Sequence, residues 1–476
     1  MAELGSSDLE AVEQQLGRPL LTELSVVARC PDGHPLVVRN HPLDRQGKPF
    51  PPLFWLTCRE AVKAVSRLEA EGWIRSLAER ADQDPAFGAE LEAAHAAHAR
   101  ERGRLHPPAA GWGGVAGSPG GVKCLHAHYA NHLAGGADPV GAWVAERIEP
   151  LHGRRATGVV AAVDMGTNSI RLLVAEPRAE TLHELARDMA ITRLGLGVDR
   201  TGRFDPAALE RTLDALGWYA RRARALGAGR IRLGATSAAR DASNRDDLVR
   251  RVLEVAGSEP EILSGEREAR LSFLGGTQGL ERPAPFAIFD IGGGSTELAM
   301  GYRSAERAVS VDLGSVRLTE RIRPADPPSR EDLEAMRSEA HAQVAAAAEQ
   351  VPIGKASTLV GLAGTTTTVQ AIALGLPRYD PDEIHRSELR IEDAERVTHE
   401  LAGMSVAERR ALPVMAPGRE DVIVAGAVIL TEILRVAGAH ACIVSERDIL
   451  DGLAIEMARA QASGYPTAPD GPVEDA

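Results

Sequence analysis

The chain has 476 residues, of which 44% are hydrophobic and 25% charged, so it is long enough for about three domains and has the composition of a globular protein. The formal net charge is −13, and only four of the 54 basic residues are lysines, a balance that excludes a general nucleic-acid binder with a basic face. With no apolar run suited to a membrane span, no signal-peptide pattern and four scattered cysteines typical of reduced thiols, we expect a cytoplasmic protein without a membrane partner.

Residues 1–150 differ in composition from the rest of the chain. They hold four of the five tryptophans and three of the four cysteines. A mostly helical segment is predicted from Arg59 to Arg102, and a Gly/Pro-rich stretch follows over 103–121. We expect a separate N-terminal domain, mainly α or α+β, that is joined to the remainder by a linker over 149–157.

The run KCLHAHYANHLAGG is the candidate metal site of this domain. On a helix, Cys124, His128 and His132 would lie one turn apart on one face, a spacing that suits Zn²⁺. Cys58 or His106 would then complete a tetrahedral set. The alternative is a helix whose histidines pack in the interior without a metal. The run also resembles a small bacterial domain family of uncharacterised function, which implies no activity.

Beyond the linker, strand and helix patterns alternate, which predicts two α/β lobes around one cleft. Lobe I is expected over 157–283 and lobe II over 284–462, with the last helix a candidate to pack back on lobe I. Residues 463–476 show no periodicity and are expected to be disordered. The strand candidates are Val159 to Val163, Ile170 to Ala175, Ile231 to Ala235, Ala287 to Asp290, Thr296 to Met300, Thr358 to Leu362 and Ala441 to Ser445. The helix candidates are Pro206 to Leu226, Asp246 to Val255, Arg267 to Leu274, Arg330 to Gln350, Thr366 to Leu374, Ile391 to Leu401 and Asp421 to Val436.

Two glycine-rich loops, each led by an aspartate, are the most informative motifs. VDMGTNSIRLLV contains Asp164 and FDIGGGSTELAMG contains Asp290, 126 residues later (290 − 164). Each motif predicts a strand, a tight turn and a returning strand. Glycine lets the backbone approach a phosphate closely, turn N–H groups form an anion-binding concavity, and a leading carboxylate suits Mg²⁺. The pair therefore predicts phosphoryl chemistry.

Three further motifs accompany the loops: ATSAARDA over 235–242, ILSGEREARL over 262–271 and GLAGTTTTVQAI over 361–372. In order and spacing, the five motifs resemble the exopolyphosphatase and guanosine pentaphosphate phosphohydrolase family over about residues 159–459. The resemblance implies the actin-like, ribonuclease-H-like fold with two lobes and a central cleft. It also implies a homodimer and Mg²⁺-dependent hydrolysis of a terminal phosphoanhydride bond.

The resemblance implies roles for single residues as well. Glu268 is the expected water-activating base, and Glu266 is expected to be solvated helix surface. Asp164, Asp290 and Glu297 form the expected Mg²⁺ cluster, and the last two also count as catalytic. Arg240 is the expected cationic clamp, with capping of a helix C-terminus as its alternative role. The expected phosphate-binding residues are Gly166, Thr167, Asn168, Ser169, Arg171, Arg240, Gly292, Gly293, Gly294 and Ser295.

Three classes of function follow from these motifs. The leading hypothesis is an exopolyphosphatase that acts on inorganic polyphosphate, with guanosine pentaphosphate as the alternative substrate. A second class is a non-catalytic, nucleotide-binding actin-like sensor. A third class makes the N-terminal domain the functional part and the phosphatase its regulator.

Overall fold

The computed structural model describes residues 6–50, 52–118, 120–148, 158–178 and 181–463. Within these residues an N-terminal α+β domain precedes two α/β lobes, each built on a mixed sheet, which confirms the predicted fold class. The predicted linker and all but the first residue of the predicted disordered tail lie outside the described residues. No helix in the described part of the chain combines the length and apolar character that a membrane span needs.

The N-terminal domain contains a three-stranded antiparallel sheet and six α-helices. The segment predicted as helical from Arg59 to Arg102 is three helices, because Gly72 adopts φ +90° and Asp84 caps a new helix that starts with Pro85. The strands are β1 (Leu24–Arg29), β2 (Pro35–Asn40) and β3 (Phe54–Leu56). The helices are α1 (Ser6–Leu16), α2 (Arg59–Ala70), α3 (Trp73–Gln83), α4 (Pro85–Leu105), α5 (Leu125–Leu133) and α6 (Pro139–Ala145).

Lobe I has a five-stranded sheet in the order β6-β5-β4-β7-β8. The first three strands pair antiparallel, and β4, β7 and β8 run parallel. The strands are β4 (Val160–Met165), β5 (Ser169–Arg178), β6 (Thr181–Ile191), β7 (Ile231–Ala235) and β8 (Glu261–Ile262). The helices are α7 (Val198–Thr201), α8 (Pro206–Ala225), α9 (Ser237–Asp241), α10 (Arg245–Ala256) and α11 (Gly265–Gly276).

Lobe II has a six-stranded sheet in the order β11-β10-β9-β12-β14-β13. Its strands are β9 (Phe286–Ile291), β10 (Thr296–Gly301), β11 (Ala305–Val311), β12 (Thr358–Leu362), β13 (Glu388–Arg390) and β14 (Ala441–Val444). The helices that follow β11 are α12 (Ser315–Ile322), α13 (Arg330–Gln350), α14 (Ala363–Ala373), α15 (Pro381–Ile384), α16 (Ile391–Gly403), α17 (Val406–Arg410), α18 (Ile423–Ala437) and α19 (Ile449–Ser463).

The two lobes repeat one arrangement. In each, the first strand of an antiparallel hairpin also pairs with a later, parallel strand. In lobe I, β4 of the β4–β5 hairpin pairs with β7, and in lobe II, β9 of the β9–β10 hairpin pairs with β12. The hairpins also share their register: Asp164 pairs with Arg171, and Asp290 pairs with Glu297. Equivalent positions of the two hairpins therefore carry polar side chains.

The last helix, α19, packs on the sheet of lobe I, where Leu450 and Leu453 share a hydrophobic cluster with Val160 of β4. It crosses α11 at two glycines. A Cβ at Gly275 would overlap the backbone of α19, and a Cβ at Gly452 would overlap the backbone of α11. This close crossing places the start of α19 beside the last turn of α11.

The N-terminal domain has a hydrophobic core of its own, and it also packs on lobe I. Trp218 of α8, which is partly buried, packs against the core of the N-terminal domain. Asp188 of the edge strand β6 lies 2.8 Å from Nη1 of Arg222 in lobe I and 3.7 Å from Nη2 of Arg39 in the N-terminal domain. The contact therefore combines an apolar surface with a shared, mostly buried carboxylate.

Candidate active site

The two glycine-rich loops form matching turns at the ends of β4 and β9. The N–H of Gly166 donates to the carbonyl of Ser169 over 2.9 Å, and the N–H of Gly292 donates to the carbonyl of Ser295 over 3.0 Å. Each turn follows directly after the strand that carries its aspartate, Asp164 or Asp290, and thus both loops present their backbones at corresponding edges of the two sheets.

The loops of the two lobes meet. A Cβ at Gly294 would lie 2.5 Å from Oγ of Ser237 and 2.8 Å from Oγ1 of Thr167, so this approach requires glycine. Within the described part of the chain, four N–H groups of these turns donate to no backbone carbonyl. They are the N–H groups of Thr167, Asn168, Gly293 and Gly294. Unpaired N–H groups gathered from two turns form an anion-binding concavity.

A cavity of about 800 Å³ opens where the loops meet. Both loops line it, together with several carboxylates, among them Asp164, Glu268, Asp290 and Asp448 beside the loops and Glu446 farther along. It continues past β6 to the N-terminal domain, where Arg39 and other side chains form its far wall. The predicted loops and the predicted base thus border one space between the lobes.

Glu268 lies in the first turn of α11, which the side chain of Ser264 caps. Nη1 of Arg240 donates to its Oε2 over 2.6 Å and to the carbonyl of Leu263 over 2.9 Å. Burial raises the pKa of Glu268 to about 7, against the lowering effect of Arg240, and the charges of Asp164 and Asp290 raise it further. Such a carboxylate can take up a proton near neutral pH.

Asp290 and Glu297 face each other across the β9–β10 hairpin. Oγ of Ser272 donates to Oδ2 of Asp290 over 2.8 Å, and burial followed by the charge of Asp448 raises the pKa of Asp290 to about 6. Glu297 accepts from Oγ of Ser310 over 2.7 Å, and burial raises its pKa well above the usual value. Of the two, only Asp290 is among the described residues that line the cavity, so Glu297 lies behind it.

Asp164, Arg171 and Asp448 form a buried ion cluster that also lines the cavity. Nη2 of Arg171 lies 2.7 Å from Oδ2 of Asp164, and its Nη1 contacts Oδ2 of Asp448. Burial raises the pKa of Asp164 although Arg171 lowers it. Arg171 therefore faces the cavity as a cation that is already paired with two carboxylates.

The carboxylates have the chemistry that a hard divalent cation prefers, although among the described residues their oxygens are not all within 4.8 Å of one another. Oδ1 of Asp164 is buried and has no hydrogen-bond partner within the described part of the chain. Asp164, Asp290 and Asp448 all line the cavity, and, in addition to burial, the charge of Asp448 raises the pKa values of both Asp164 and Asp290, as like charges do at close range. Oxygen ligands with excess negative charge are the donor set that Mg²⁺ requires.

Sequence reasoning missed three residues of this site. Asp448 lies in the run SERDILDG, directly before the apolar helix α19. A polar residue at such a position is the one signal in the sequence that could have drawn attention to it. Arg317 donates to the carbonyl of Gly294 over 2.6 Å from α12. Arg419 lines the cavity and donates to the carbonyl of Gly364 over 2.9 Å, with no carboxylate partner among the described residues. Neither arginine belongs to a motif that could have identified it.

The predicted zinc ligands are not brought together, and the structure does not support Zn²⁺ at this set. Cys124 is the N-cap of α5 with φ −155°, so helical spacing does not extend to it. His128 is fully buried with Nδ1 2.9 Å from Oδ2 of Asp138. Cys124 instead lies near His126 and Glu69, which is the one group of the described residues with metal-ligand proximity. The predicted set of Cys124, His128 and His132 is therefore wrong.

Two family models match the chain. The Ppx/GppA phosphatase family matches residues 173–461, a range that begins just after the first loop. A family described as a protein of unknown function, DUF501, matches residues 26–146.

Several known proteins are similar to the second and larger part of the chain. Exopolyphosphatase 2 of Mycobacterium tuberculosis is 44% identical over 313 residues, which cover 63% of this chain and 98% of that protein. A crystal structure of an exopolyphosphatase-like protein is 37% identical with a TM-score of 0.61, over 64% of this chain and 99% of the other. The Aquifex aeolicus member of the Ppx/GppA protein family is 26% identical with a TM-score of 0.56, over 65% and 99%.

Proposed function

Because the chain belongs to the Ppx/GppA phosphatase family, we propose that it is an exopolyphosphatase, which hydrolyses the terminal phosphoanhydride bond of inorganic polyphosphate and releases orthophosphate. The observation that carries this proposal is the position of Glu268, a buried carboxylate on a cavity lined by both phosphate loops. The relative at 44% identity, which is named exopolyphosphatase 2, supports the same reaction.

Glu268 is the group proposed to activate water. As water attacks the terminal phosphorus, its proton passes to the Glu268 carboxylate, and the phosphorus–oxygen bond to the rest of the chain breaks with its electron pair on the leaving phosphate. The pKa of Glu268, raised to about 7, suits this transfer because general-base catalysis is most efficient when the pKa of the base is close to the working pH. Arg240 holds the carboxylate in place over 2.6 Å.

The two loops are proposed to bind the terminal phosphate. The N–H groups of Thr167, Asn168, Gly293 and Gly294 would donate to its oxygens and stabilise the charge that develops during transfer. Since these donors belong to both lobes, a bound phosphate would bridge the two lobes. Arg240 also lies 3.4 Å from Oγ of Ser295 in the second loop.

Asp164, Asp290 and Asp448 are proposed to hold Mg²⁺. When bound, the ion would neutralise phosphate charge and polarise the phosphoryl group. Glu297 lies behind Asp290, and we assign it a supporting role in the packing and hydrogen bonding of this hairpin rather than direct contact with substrate. The serines that donate to these two carboxylates fix their orientation.

Guanosine pentaphosphate remains the second candidate substrate. The cavity near Arg419 is also lined by apolar residues, Val414, Met415 and Pro417, which offer a surface for a base. Arg419, as a cation without a carboxylate partner among the described residues, would bind a phosphate farther along either substrate. Guanosine pentaphosphate would therefore contact the apolar wall through its base, whereas polyphosphate would not.

The test is orthophosphate release with Mg²⁺ from medium-chain polyphosphate and, in parallel, from guanosine pentaphosphate. Release from polyphosphate that is lost in Glu268→Gln supports the exopolyphosphatase. Release from the nucleotide alone would move the protein to alarmone metabolism, and release from neither would favour the non-catalytic sensor. The homodimer stays a prediction that light scattering on the purified protein tests.

A further inference from the structure

A second chemically distinctive cluster lies in the N-terminal domain, away from the cleft. Glu69 of α2, Cys124 at the N-cap of α5 and His126 in its first turn each offer one ligand atom, and these atoms lie within 4.8 Å of one another. Nδ1 of His126 is 3.2 Å from Oε1 of Glu69 and 3.9 Å from Sγ of Cys124. With metal–ligand bonds of about 2.0–2.3 Å, tetrahedral ligands lie roughly 3.3–3.6 Å apart, so small adjustments would suffice.

The orientation of the histidine ring is fixed from outside the cluster. Nε2 of His126 lies 3.1 Å from the carbonyl of Val62 and 3.2 Å from Oγ of Ser66. A carbonyl can only accept, so Nε2 carries the hydrogen, and Nδ1 faces the carboxylate and the thiol. This is the arrangement in which an outer partner orients a metal-ligating imidazole. The close approach of Nδ1 to a carboxylate oxygen is favourable only when a proton or a metal ion lies between these two atoms.

The cluster also borders a cavity of its own. Cys124 and His126 line a space of about 730 Å³ with three cationic side chains, Arg18, Arg59 and Lys63. The described lining residues include no aspartate or glutamate. Arg18 is held over the ring of Trp55, with its guanidinium carbon 5.0 Å from the ring centroid. A ligand that reached the cluster from this side would therefore meet positive charge.

We propose that Glu69, Cys124 and His126 bind one divalent transition-metal ion, whose remaining coordination position faces the cationic cavity and takes a small anion such as phosphate. Thiolate and imidazole ligands favour a transition metal over Mg²⁺, which prefers oxygen ligands. The site is distinct from the proposed Mg²⁺ site, because no cysteine is among the described residues that line the cleft. It does not depend on the proposed phosphatase activity.

Cobalt titration of the full-length protein, saturated with Mg²⁺, tests the metal site. We expect one Co²⁺ per chain with a thiolate-to-cobalt charge-transfer absorption, which carboxylates of the cleft cannot produce. Cys124→Ser should abolish that absorption, and it should not impair folding because serine is a preferred N-cap residue. The matched control is Cys58→Ser, which changes the N-cap cysteine of α2 and should retain the absorption.

Two results would overturn the metal site: no charge-transfer absorption in the wild type, which would mean that a proton alone bridges the cluster, or an unchanged absorption in Cys124→Ser. Inorganic phosphate then tests the open position. It should alter the visible cobalt spectrum of the wild type, and the change should be weaker in Lys63→Met. A spectrum that phosphate leaves unchanged would overturn the anion part of the proposal and leave the metal site standing.

Discussion

Two glutamates in the first turn of α11 allow the role of the proposed base to be isolated. Glu268→Gln keeps the size and the hydrogen bond from Arg240 but removes the group that accepts the proton. We expect kcat on polyphosphate to fall by about 10²–10⁴, with little change in KM. Glu266→Gln is the control, because Glu266 is exposed and pairs with Arg270 on the helix surface. Equal kcat values in the two variants would remove Glu268 from the reaction.

Arg240 sets the pH at which that base works. The pKa of Glu268 is raised to about 7, and the base acts only when deprotonated, so kcat/KM should fall as the pH drops below about 7. The positive charge of Arg240 lowers this pKa, and Arg240→Met should therefore move the midpoint of the acid limb to higher pH. Arg270→Met, on the exposed side of the same helix, should leave the midpoint unchanged. The measurement is the kcat/KM profile at fixed Mg²⁺, and a downward shift in Arg240→Met contradicts the assignment.

The motifs made most of the proposed site predictable from the sequence, since Asp164, Asp290 and Glu268 each stand at a fixed place in a short pattern. Asp448 and Arg419 were not predictable in this way. They reach the cavity from segments far along the chain, and their positions depend on how α19 and α18 pack. The zinc prediction failed for a local reason, because Cys124 precedes the helix on which the spacing was counted.

At the scale of elements, α12 joins the lobes through Arg317. Its guanidinium donates to the carbonyl of Gly294 in lobe II and contacts Asp199 and Asp241 in lobe I. Arg317→Met should lower the free energy of unfolding by about 2–3 kcal/mol, as expected for hydrogen bonds to charged groups, and raise KM because the second phosphate loop loses its support. Urea unfolding and phosphate-release kinetics measure the two effects.

The control for this prediction is Arg321→Met on the same helix. Arg321 is about one-third exposed and pairs with Asp199 and Glu339, so its loss should change stability by less than about 1 kcal/mol. If both variants lost the same stability and KM, Arg317 would have no special part in joining the lobes.

The buried elements were the predictable ones. The strands at 231–235 and 358–362 agree with the structure at both ends, because short, mostly apolar runs bounded by turns mark central strands. The edge strands β6 and β11 were not predicted. Both are half exposed and mix polar with apolar residues, so they show neither a continuous apolar run nor a clean alternation. The N-terminal domain was predicted as mainly α or α+β, but none of its strands was located, because its helices dominate the pattern.

At the scale of the whole molecule, the two family matches coincide with two parts that have separate hydrophobic cores, yet these parts share a surface. Trp218 and Leu226 of lobe I pack against the core of the N-terminal domain, and Arg39 shares Asp188 with Arg222. The N-terminal domain also closes the far end of the cavity that begins at the phosphate loops. The domain is therefore placed to influence how substrate occupies the cleft without supplying a proposed catalytic group.

A chain that begins at residue 158 tests this arrangement. Every residue that we place at the reaction lies after that point, and the relative from Mycobacterium tuberculosis corresponds to this part over 98% of its length. We expect kcat on polyphosphate to stay close to that of the full chain and KM to change, because the deletion opens one end of the cavity. Thermal stability should fall, since Trp218 and the edge strand β6 become exposed, and Trp218→Ser in the shortened chain should reduce its aggregation. A shortened chain that folds, as circular dichroism would show, but hydrolyses nothing would mean that the N-terminal domain is needed for the reaction itself.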